Sequence, residues 1–282
     1  MVTLWHRGKA KIDRLVGGPP SETSITHEST CRVPYEIVEK IITYLIHDLY
    51  ALKACSLTCR SWHAVAVPHI YHTLVLGRSA KLKVLSKLHK RGLISFVNII
   101  QVGQWDGKSA WFAPKVFNPR DLRYFSSFAN VHTLDLQKLE IHRFIPNVER
   151  YFGHFSQTLR SIKLYRPCCT PRQQSHFLSL FSNLDNIEIC GTDTSPIIPV
   201  PDRLVPFSAP KLRGRLVLRS YNWSWTWEHL ISAGGLRFRH IDLRDSINCA
   251  QVLLDACAET LETLQLFATD GKLCYLGLSN SN

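Results

Sequence analysis

Near its N-terminus the chain reads Cys31-Arg32-Val33-Pro34-Tyr35-Glu36-Ile37-Val38-Glu39-Lys40-Ile41-Ile42. This stretch has the features of an amphipathic helix. Pro34 predicts the start of a helix, because the amide hydrogen that proline lacks would have no partner in a first helical turn. The carboxylate of Glu36 favours the positive end of the same helix. Ile37, Ile41 and Leu45 then recur at four-residue steps, which indicates an apolar stripe along that helix.

A second apolar run follows directly. Leu49, Leu52, Cys55, Cys59 and Trp62 also recur at helical spacing, so we expect two or three short helices in this region. Helices that together span about 40 residues are too few to build a self-sufficient core. The pattern therefore predicts that another polypeptide covers part of the apolar surface. The alternative is an ordinary helical hairpin that belongs to the core of this chain.

The spacing of these residues resembles the F-box, the motif by which substrate receptors of Skp/cullin/F-box ubiquitin ligases bind a Skp-type adaptor. The resemblance lies in Val33-Pro34-Tyr35-Glu36-Ile37, in Tyr44-Leu45 and in Leu57-Thr58-Cys59-Arg60-Ser61-Trp62. It implies an adaptor-binding surface and, through the adaptor, a cullin scaffold as a further partner. The residues that the resemblance assigns to this surface are Val33, Pro34, Ile37, Ile41, Leu45, Leu49, Leu52, Leu57, Cys59 and Trp62.

Beyond Trp62 the chain repeats a triplet of the form apolar-x-x-apolar-x-apolar. The triplets are Tyr71-Leu74-Leu76, Val97-Ile100-Val102, Val131-Leu134-Leu136, Leu159-Ile162-Leu164, Leu184-Ile187-Ile189, Phe238-Ile241-Leu243 and Leu261-Leu264-Leu266. Leu212, Leu216 and Leu218 fit the same frame with one extra residue. The last members of successive triplets lie 23 to 34 residues apart. A period centred on the twenties predicts units that each supply a short strand and a helical or irregular return.

This period resembles that of leucine-rich repeats. The resemblance implies an α/β repeat fold, a solenoid with a parallel sheet on its concave side and helices or irregular returns on its convex side. Combined with the F-box, it predicts a flexible segment at 1–30, a helical F-box module at 31–72 and a leucine-rich-repeat-like solenoid at 73–282. The final residues, Asn280-Ser281-Asn282, follow the last triplet without an evident polar cap, which is typical of a truncated array.

The repeat also predicts which side chains face outward. Because side chains alternate along a strand, residues that flank the apolar members of a triplet point away from the core, onto one continuous concave surface. Mixed charges on this surface indicate a protein client rather than a bare phosphate backbone, and a solvated sheet face without a ligand is the alternative. The client-binding candidates are Lys163, Tyr165, Glu188, Arg215, Arg219, His240, Asp242 and Arg244, beside Asp135, Gln137, Gln265 and Phe267.

The net charge of +12 is concentrated in one part of the chain. Residues 73–123 carry ten basic and two acidic side chains, a local excess of +8. Within 79–91, Leu82, Leu85 and Leu88 give this basic stretch one apolar side, which predicts an amphipathic helix with a solvated basic face. A nucleic-acid-binding or general protein-interaction solenoid that uses this helix is the alternative function. We do not favour nucleic acid as a partner, because no aromatic residue interleaves with the lysines.

Other patterns bear on chemistry and location. The sequence has no Gly-x-Ser-x-Gly, no phosphate-binding glycine-rich loop and no His-Glu-x-x-His, so we expect no enzyme, cofactor or metal site. No apolar run approaches the roughly 18 to 20 residues that cross a bilayer, so we expect no membrane partner. Nine cysteines spread over a long chain are typical of free thiols in a reducing compartment. We therefore expect the protein in the cytoplasm, the nucleus or both.

Together the two resemblances imply a substrate receptor of a ubiquitin ligase. Its F-box would bind the Skp-type adaptor, and its repeats would hold an unknown protein client while other subunits transfer ubiquitin. The chain itself would make and break no bond; it would raise the effective concentration of the client beside the transfer machinery.

Overall fold

A computed structural model describes residues 33–76, 83–103, 123–137, 148–167, 169, 171–191, 212–219, 236–244, 250–267 and 273–276. The predicted flexible segment at 1–30, Leu82 of the basic stretch and the terminal Asn280-Ser281-Asn282 lie outside the described residues. The chain divides into two compact units, Met1–Ile70 and Tyr71–Asn282. We call the described parts of these units the helical module and the sheet unit.

The helical module consists of three helices. They are α1 (Tyr35–Tyr44), α2 (Leu49–Cys55) and α3 (Arg60–Tyr71), the last of which ends one residue into the second unit. Pro34 precedes α1 in an extended conformation, and its carbonyl oxygen accepts hydrogen bonds from the amides of Ile37 and Val38 at 3.0 and 3.1 Å. Asp48 caps α2: its Oδ1 accepts from the amides of Tyr50 and Ala51, both at 3.0 Å.

The core of the helical module is small. It consists of Val38, Ile42, Leu52, Val65 and Ala66. The residues packed against this core are Leu45, Cys55, Trp62 and Ile70. A core of this size leaves much of the apolar surface of three helices uncovered, as the sequence predicts.

The sheet unit contains a nine-stranded sheet whose strands follow chain order. Strands β1 to β8 pair in parallel, and β9 pairs antiparallel with β8. The strands are β1 (Thr73–Leu76), β2 (Ile99–Val102), β3 (Thr133–Gln137), β4 (Ser161–Tyr165), β5 (Asn186–Cys190), β6 (Leu212–Arg219), β7 (Leu236–Arg244), β8 (Thr263–Phe267) and β9 (Leu273–Leu276). The eight predicted strands are confirmed, whereas β9 was not predicted.

The register aligns the triplets across the whole parallel sheet. The middle members of the eight triplets pair in one continuous row: Leu74, Ile100, Leu134, Ile162, Ile187, Leu216, Ile241 and Leu264. All eight are buried, from 0 to 9% exposed. The repeating triplet is therefore the structural unit of an α/β repeat-like fold.

One irregularity interrupts this register. The pairing of β6 with β7 shifts between Gly214 and Arg215, which lie opposite Phe238 and His240, so Arg239 has no counterpart in β6. Gly214 has a φ of +79°, and a Cβ there would collide with the backbone carbonyl of Asp185. Glycine thus permits the close approach in which the Arg215 amide donates to the Asp185 carbonyl at 2.8 Å.

Within the described ranges, four α-helices connect the strands. They are α4 (Lys83–Lys90), α5 (Val148–Phe152), α6 (Pro171–Ser179) and α7 (Ala250–Cys257). Their buried apolar side chains join the strand residues in a single core. Within it Phe177 lies edge-on to both Phe152 and Phe181, with ring centroids 5.4 and 5.3 Å apart. The core thus occupies one side of the sheet. Among the described helices, none has the length and hydropathy that crossing a membrane requires.

Candidate functional site

Helix α1 carries two apolar stripes rather than one. Val38, Ile42 and Leu45 turn toward the core of the module, with the first two fully buried. Ile37 and Ile41 precede them by one position, which rotates them about 100° around the helix axis. They are 44 and 37% exposed. The helix therefore buries one stripe and presents the other.

The second stripe belongs to a larger group of exposed apolar side chains, which we call the apolar surface of the module. Its predicted members are Val33, Ile37, Ile41, Leu49 and Leu57, and Leu57 is 77% exposed. Pro34 is exposed as well. Leu45, Cys59 and Trp62 are partly buried. The apolar surface is large for a unit with so small a core, and such surfaces mark interaction sites.

Leu52 differs from the other residues that the resemblance assigns to this surface. The structure places it in the module's own core, 1% exposed, beside Val38 and Ile42. Leu49 is the first residue of α2 and is 44% exposed, whereas Leu52 belongs to the same buried cluster as Val38 and Ile42 of α1. Leu52 supports the apolar surface from beneath.

Four further exposed side chains, Tyr35, Tyr44, Ile46 and Tyr50, are absent from the predicted adaptor-binding residues, although Tyr35 and Tyr44 lie in the stretches that carry the F-box resemblance. Tyr44 is 88% exposed and lies seven residues after Ile37, on the same helical face. This seven-residue spacing was the sequence signal that could have added Tyr44 to the predicted surface. Helical spacing alone does not distinguish the outward stripe from the inward stripe one residue away.

The second candidate site is the side of the sheet opposite the core, which we call the outer sheet face. One row across it consists of Val75, Gln101, Asp135, Lys163, Glu188, Val217, Asp242 and Gln265. The next row consists of Gln137, Tyr165, Cys190, Arg219, Arg244 and Phe267. Arg215 and His240 pair with each other in a third row. The structure thus brings all eight predicted client-binding candidates onto one face.

Glu188 lies between two cations. Its Oε2 is 3.3 Å from Lys163 Nζ, and its Oε1 is 3.0 Å from Arg219 Nη2. The side chain of Glu188 is only 11% exposed, whereas those of Lys163 and Arg219 are 39 and 43% exposed. We call this group the Glu188 triad; it has one anion beneath two cations.

Asp242 forms a second group of the same kind, which we call the Asp242 triad. Its Oδ2 lies 3.4 Å from Arg215 Nη2 and 3.1 Å from Arg244 Nη2, and its Oδ1 accepts from Arg244 Nε at 3.2 Å. The hydrogen bonds to Asp242 raise the pKa of Arg244. The Arg244 guanidinium also stacks over Phe267, 4.5 Å from the ring centroid. These contacts fix the cations in place.

Asp135, a third carboxylate of the face, has no ion pair of this kind with the described residues. It is 4% exposed, and its Oδ1 has no hydrogen-bond partner among the described residues. Burial raises the pKa of Asp135 to about 6, against the opposing effect of Lys163. Asp135 pairs with Lys163 in the strand register, so it lies at the edge of the Glu188 triad.

Burial also raises the pKa values of two neighbouring groups. The pKa of Tyr165 rises to about 12 and that of Cys190 to about 11, and in both cases the negative charge of Glu188 adds to the effect. Both side chains therefore stay protonated at neutral pH. The Cys190 thiol donates to Glu188 Oε1 at 3.6 Å. These groups extend the Glu188 triad as hydrogen-bonding neighbours.

His240 lies at the margin of the face. Its Nδ1 is 2.7 Å from Thr263 Oγ1, and its Nε2 is 3.9 Å from Glu262 Oε2. Among the described residues no group of three or more His, Cys, Asp or Glu side chains is arranged to hold a metal ion.

The basic helix predicted at 79–91 is present as α4, over Lys83–Lys90. Leu85 and Leu88 are buried in the core of the sheet unit, while Lys87 and Lys90 are exposed. The described part of the helix thus has the predicted apolar and basic sides.

Comparison with models of protein families matches the F-box-like family over residues 30–77. The match covers the helical module and β1. Domains of this family generally bind Skp-type adaptors. No curated protein matches the chain.

Proposed function

We propose that the protein is the substrate-recognition subunit of a Skp/cullin/F-box ubiquitin ligase. The observation that carries the proposal is the coincidence of the F-box-like match with the apolar surface of the module, where Ile37, Ile41 and Leu57 are exposed. A Skp-type adaptor would cover this surface and connect the chain to a cullin scaffold. The hydrophobic driving force would come from the side chains that the module cannot bury itself.

The sheet unit serves as the client-binding part in this proposal. We assign it to the leucine-rich repeats, on the support of eight parallel strands that each carry the apolar triplet. A client would bind the outer sheet face, where charged side chains converge. The chain would act without catalysis of its own, by holding the client in the same assembly as the transfer enzymes.

We further propose that this assembly forms in the cytoplasm, the nucleus or both. The free thiols of Cys55, Cys190 and Cys257 support a reducing compartment. We do not assign nucleic acid as the partner, because the exposed lysines of α4 lie on a single short helix without interleaved aromatic residues.

Adaptor capture tests the proposal. The double variant Ile37→Ala/Ile41→Ala should lose at least about tenfold in affinity for a purified Skp-type adaptor, since truncating anchor residues at an interface typically costs more than 1 kcal/mol each. Its melting temperature should stay near that of the wild type, because both side chains are exposed. Lys87→Ala/Lys90→Ala is the control: both side chains are exposed but lie on α4, outside the matched residues 30–77. Wild-type adaptor affinity in the double variant would refute the proposal.

A further inference from the structure

We propose that the outer sheet face binds an acidic segment of the client, with carboxylates three residues apart seated on the Glu188 triad and the Asp242 triad. The identity of this ligand as a client rests on the proposed function, whereas its chemistry follows from the charges of the face.

The first argument is the charge balance of the triads. Each contains two cations and one carboxylate, which sum to a net charge of +1 within the triad. The buried carboxyl of Asp135, at the edge of the Glu188 triad, reduces the excess there as the pH rises through its pKa of about 6, whereas the described residues place no further acid in the Asp242 triad. The carboxylates lie beneath the cations: the Asp242 side chain is 3% exposed, but those of Arg215 and Arg244 are 50 and 37% exposed. A ligand approaching the face would therefore meet guanidinium and ammonium groups. Carboxylates form stronger, charge-assisted hydrogen bonds with such groups than neutral acceptors do.

The second argument is unused donor capacity. A guanidinium has five N–H donors, and among the described residues Arg219 is paired with Glu188 through Nη2, with its side chain 43% exposed. Arg215 contacts Asp242 through Nη2 alone. Donors therefore remain for a ligand carboxylate in both triads. Their cations are already held in place by buried acids and, for Arg244, by Phe267. This order lowers the entropic cost of binding.

The third argument is spacing. Glu188 on β5 and Asp242 on β7 belong to the same row and are separated by one strand, β6. Neighbouring strands lie about 4.8 Å apart, so the triads are centred about 10 Å apart. In a polyproline-II chain, residues three apart lie on the same side at about 9 Å. An extended peptide that crosses the strands thus aligns every third side chain with the triads, and Val217 lies between them.

The test is fluorescence anisotropy of a labelled peptide with the full chain at physiological ionic strength. The probe is a short Ala/Pro-rich peptide with Glu at every third position. One comparison peptide has the same composition with its Glu residues contiguous, and another has Gln in place of Glu. We expect the spaced peptide to bind most tightly and the Gln peptide not to bind. Equal affinity for the spaced and contiguous peptides would overturn the inferred spacing.

Variants test the two triads. Lys163→Gln/Arg215→Gln leaves each triad without net charge, so we expect at least about a tenfold loss of affinity for the spaced peptide. The matched control, Lys87→Gln/Lys90→Gln on α4, removes the same charge elsewhere and should bind like the wild type. An equal loss in the control would mean non-specific attraction and overturn the assignment.

A further variant tests the charge balance of the Asp242 triad even if Lys163→Gln/Arg215→Gln unfolds the chain. Arg215→Gln/Asp242→Asn removes both charges of the Arg215–Asp242 ion pair, so no buried carboxylate is left without its cation. The positive charge of Arg244 remains, and the Asp242 triad keeps a net charge of +1. It should bind the peptide more tightly than Arg215→Gln alone. The reverse order would overturn the charge-balance argument.

A single-stranded RNA of mixed sequence serves as the competing ligand. If the chain binds this RNA more tightly than the spaced peptide, and if the affinity for RNA falls steeply at higher salt, the ligand of the outer sheet face is nucleic acid and the inference is wrong. Adaptor capture by the same chain is independent of these outcomes. Loss of peptide binding with adaptor binding intact would therefore reject this inference alone, and the converse would reject the adaptor assignment alone.

Discussion

Asp135 is the residue whose environment fits its chemistry least. Its carboxylate is almost fully buried, and one of its oxygens has no hydrogen-bond partner among the described residues. A buried, incompletely paired charge destabilises the folded state unless it is protonated. The pKa of about 6 is the measure of that cost. A buried charge of this kind beside the Glu188 triad is expected where a face is shaped for a ligand.

We expect Asp135→Asn to stabilise the protein at pH 7.5. The carboxyl has a raised pKa in the folded state, so its cost is absent below about pH 4, grows between pH 4 and 6 and is complete above pH 6. The shift of roughly two units corresponds to a gain of about 1–3 kcal/mol in the free energy of unfolding. Urea unfolding at pH 7.5 and at pH 4.5 measures it, and the gain should shrink at the lower pH.

Asp185→Asn is the control for this prediction. Asp185 forms an ion pair with Arg160 at 3.8 Å in which both side chains are more than half exposed. Exposed pairs of this kind contribute little, so the free energy of unfolding should change by less than about 1 kcal/mol at either pH. A destabilising effect of Asp135→Asn at pH 7.5, or a gain that does not depend on pH, would contradict the explanation.

For single residues, the sequence predicted on which face of the sheet a side chain lies better than it predicted the burial and ion pairs of that side chain. Alternation along the strand was enough to put Asp135, Glu188 and Asp242 on the outer sheet face. The cation partners of Glu188 and one partner of Asp242 lie on neighbouring strands, and a local sequence pattern does not contain those contacts. For the same reason Leu52 and Leu49 looked alike in sequence, although only Leu49 is exposed.

Among the elements, strand β6 shows how one backbone position controls the outer sheet face. Gly214 permits the tight approach to Asp185 that precedes the register shift, and Arg215 follows it directly. The shift determines which residues of β7 lie beside Arg215. The ion pair between Arg215 and Asp242 therefore depends on the geometry at Gly214.

We expect Gly214→Ala to destabilise the sheet unit by more than about 2 kcal/mol, because a positive φ costs a non-glycine residue about 1–3 kcal/mol and the added Cβ would also strike the Asp185 carbonyl. Gly92→Ala is the matched control: Gly92 has a φ of +66°, but nothing lies within 4 Å of the added Cβ. It should lose only about 1 kcal/mol. Urea unfolding measures the free energy of unfolding of both variants. Equal losses would show that the backbone moves enough to avoid the collision at Gly214, and would contradict the prediction.

Most elements were predictable because the signal for them repeats. Eight triplets in one chain indicate eight strands, and their common frame predicts the parallel register. The repeat also predicts helical or irregular returns between the strands, and α6 and α7 are two such returns. Strand β9 was not predicted because Leu273–Leu276 is short and does not contain the repeated triplet. It also pairs antiparallel with β8, unlike the other strands. The register shift, in which β7 contains the extra residue Arg239, was not predicted.

At the scale of the whole molecule, two surfaces of different character lie on separate compact units. The apolar surface of the module suits an obligate protein partner, whereas the outer sheet face combines charge with fixed geometry. Substitutions on one unit should leave binding at the other unchanged, since sites that share no interaction partners act additively. The function proposed here nevertheless requires both surfaces on one chain, because only a single chain links adaptor and client.

This requirement predicts a failure of complementation. The wild-type chain should retain the spaced acidic peptide on an immobilised Skp-type adaptor. Ile37→Ala/Ile41→Ala should bind the peptide without binding the adaptor, and Lys163→Gln/Arg215→Gln should bind the adaptor without the peptide. A mixture of the two variants should retain no more peptide than the second variant alone, because neither chain raises the effective concentration of one partner near the other. Recovery by the mixture would show that bridging does not occur within one chain.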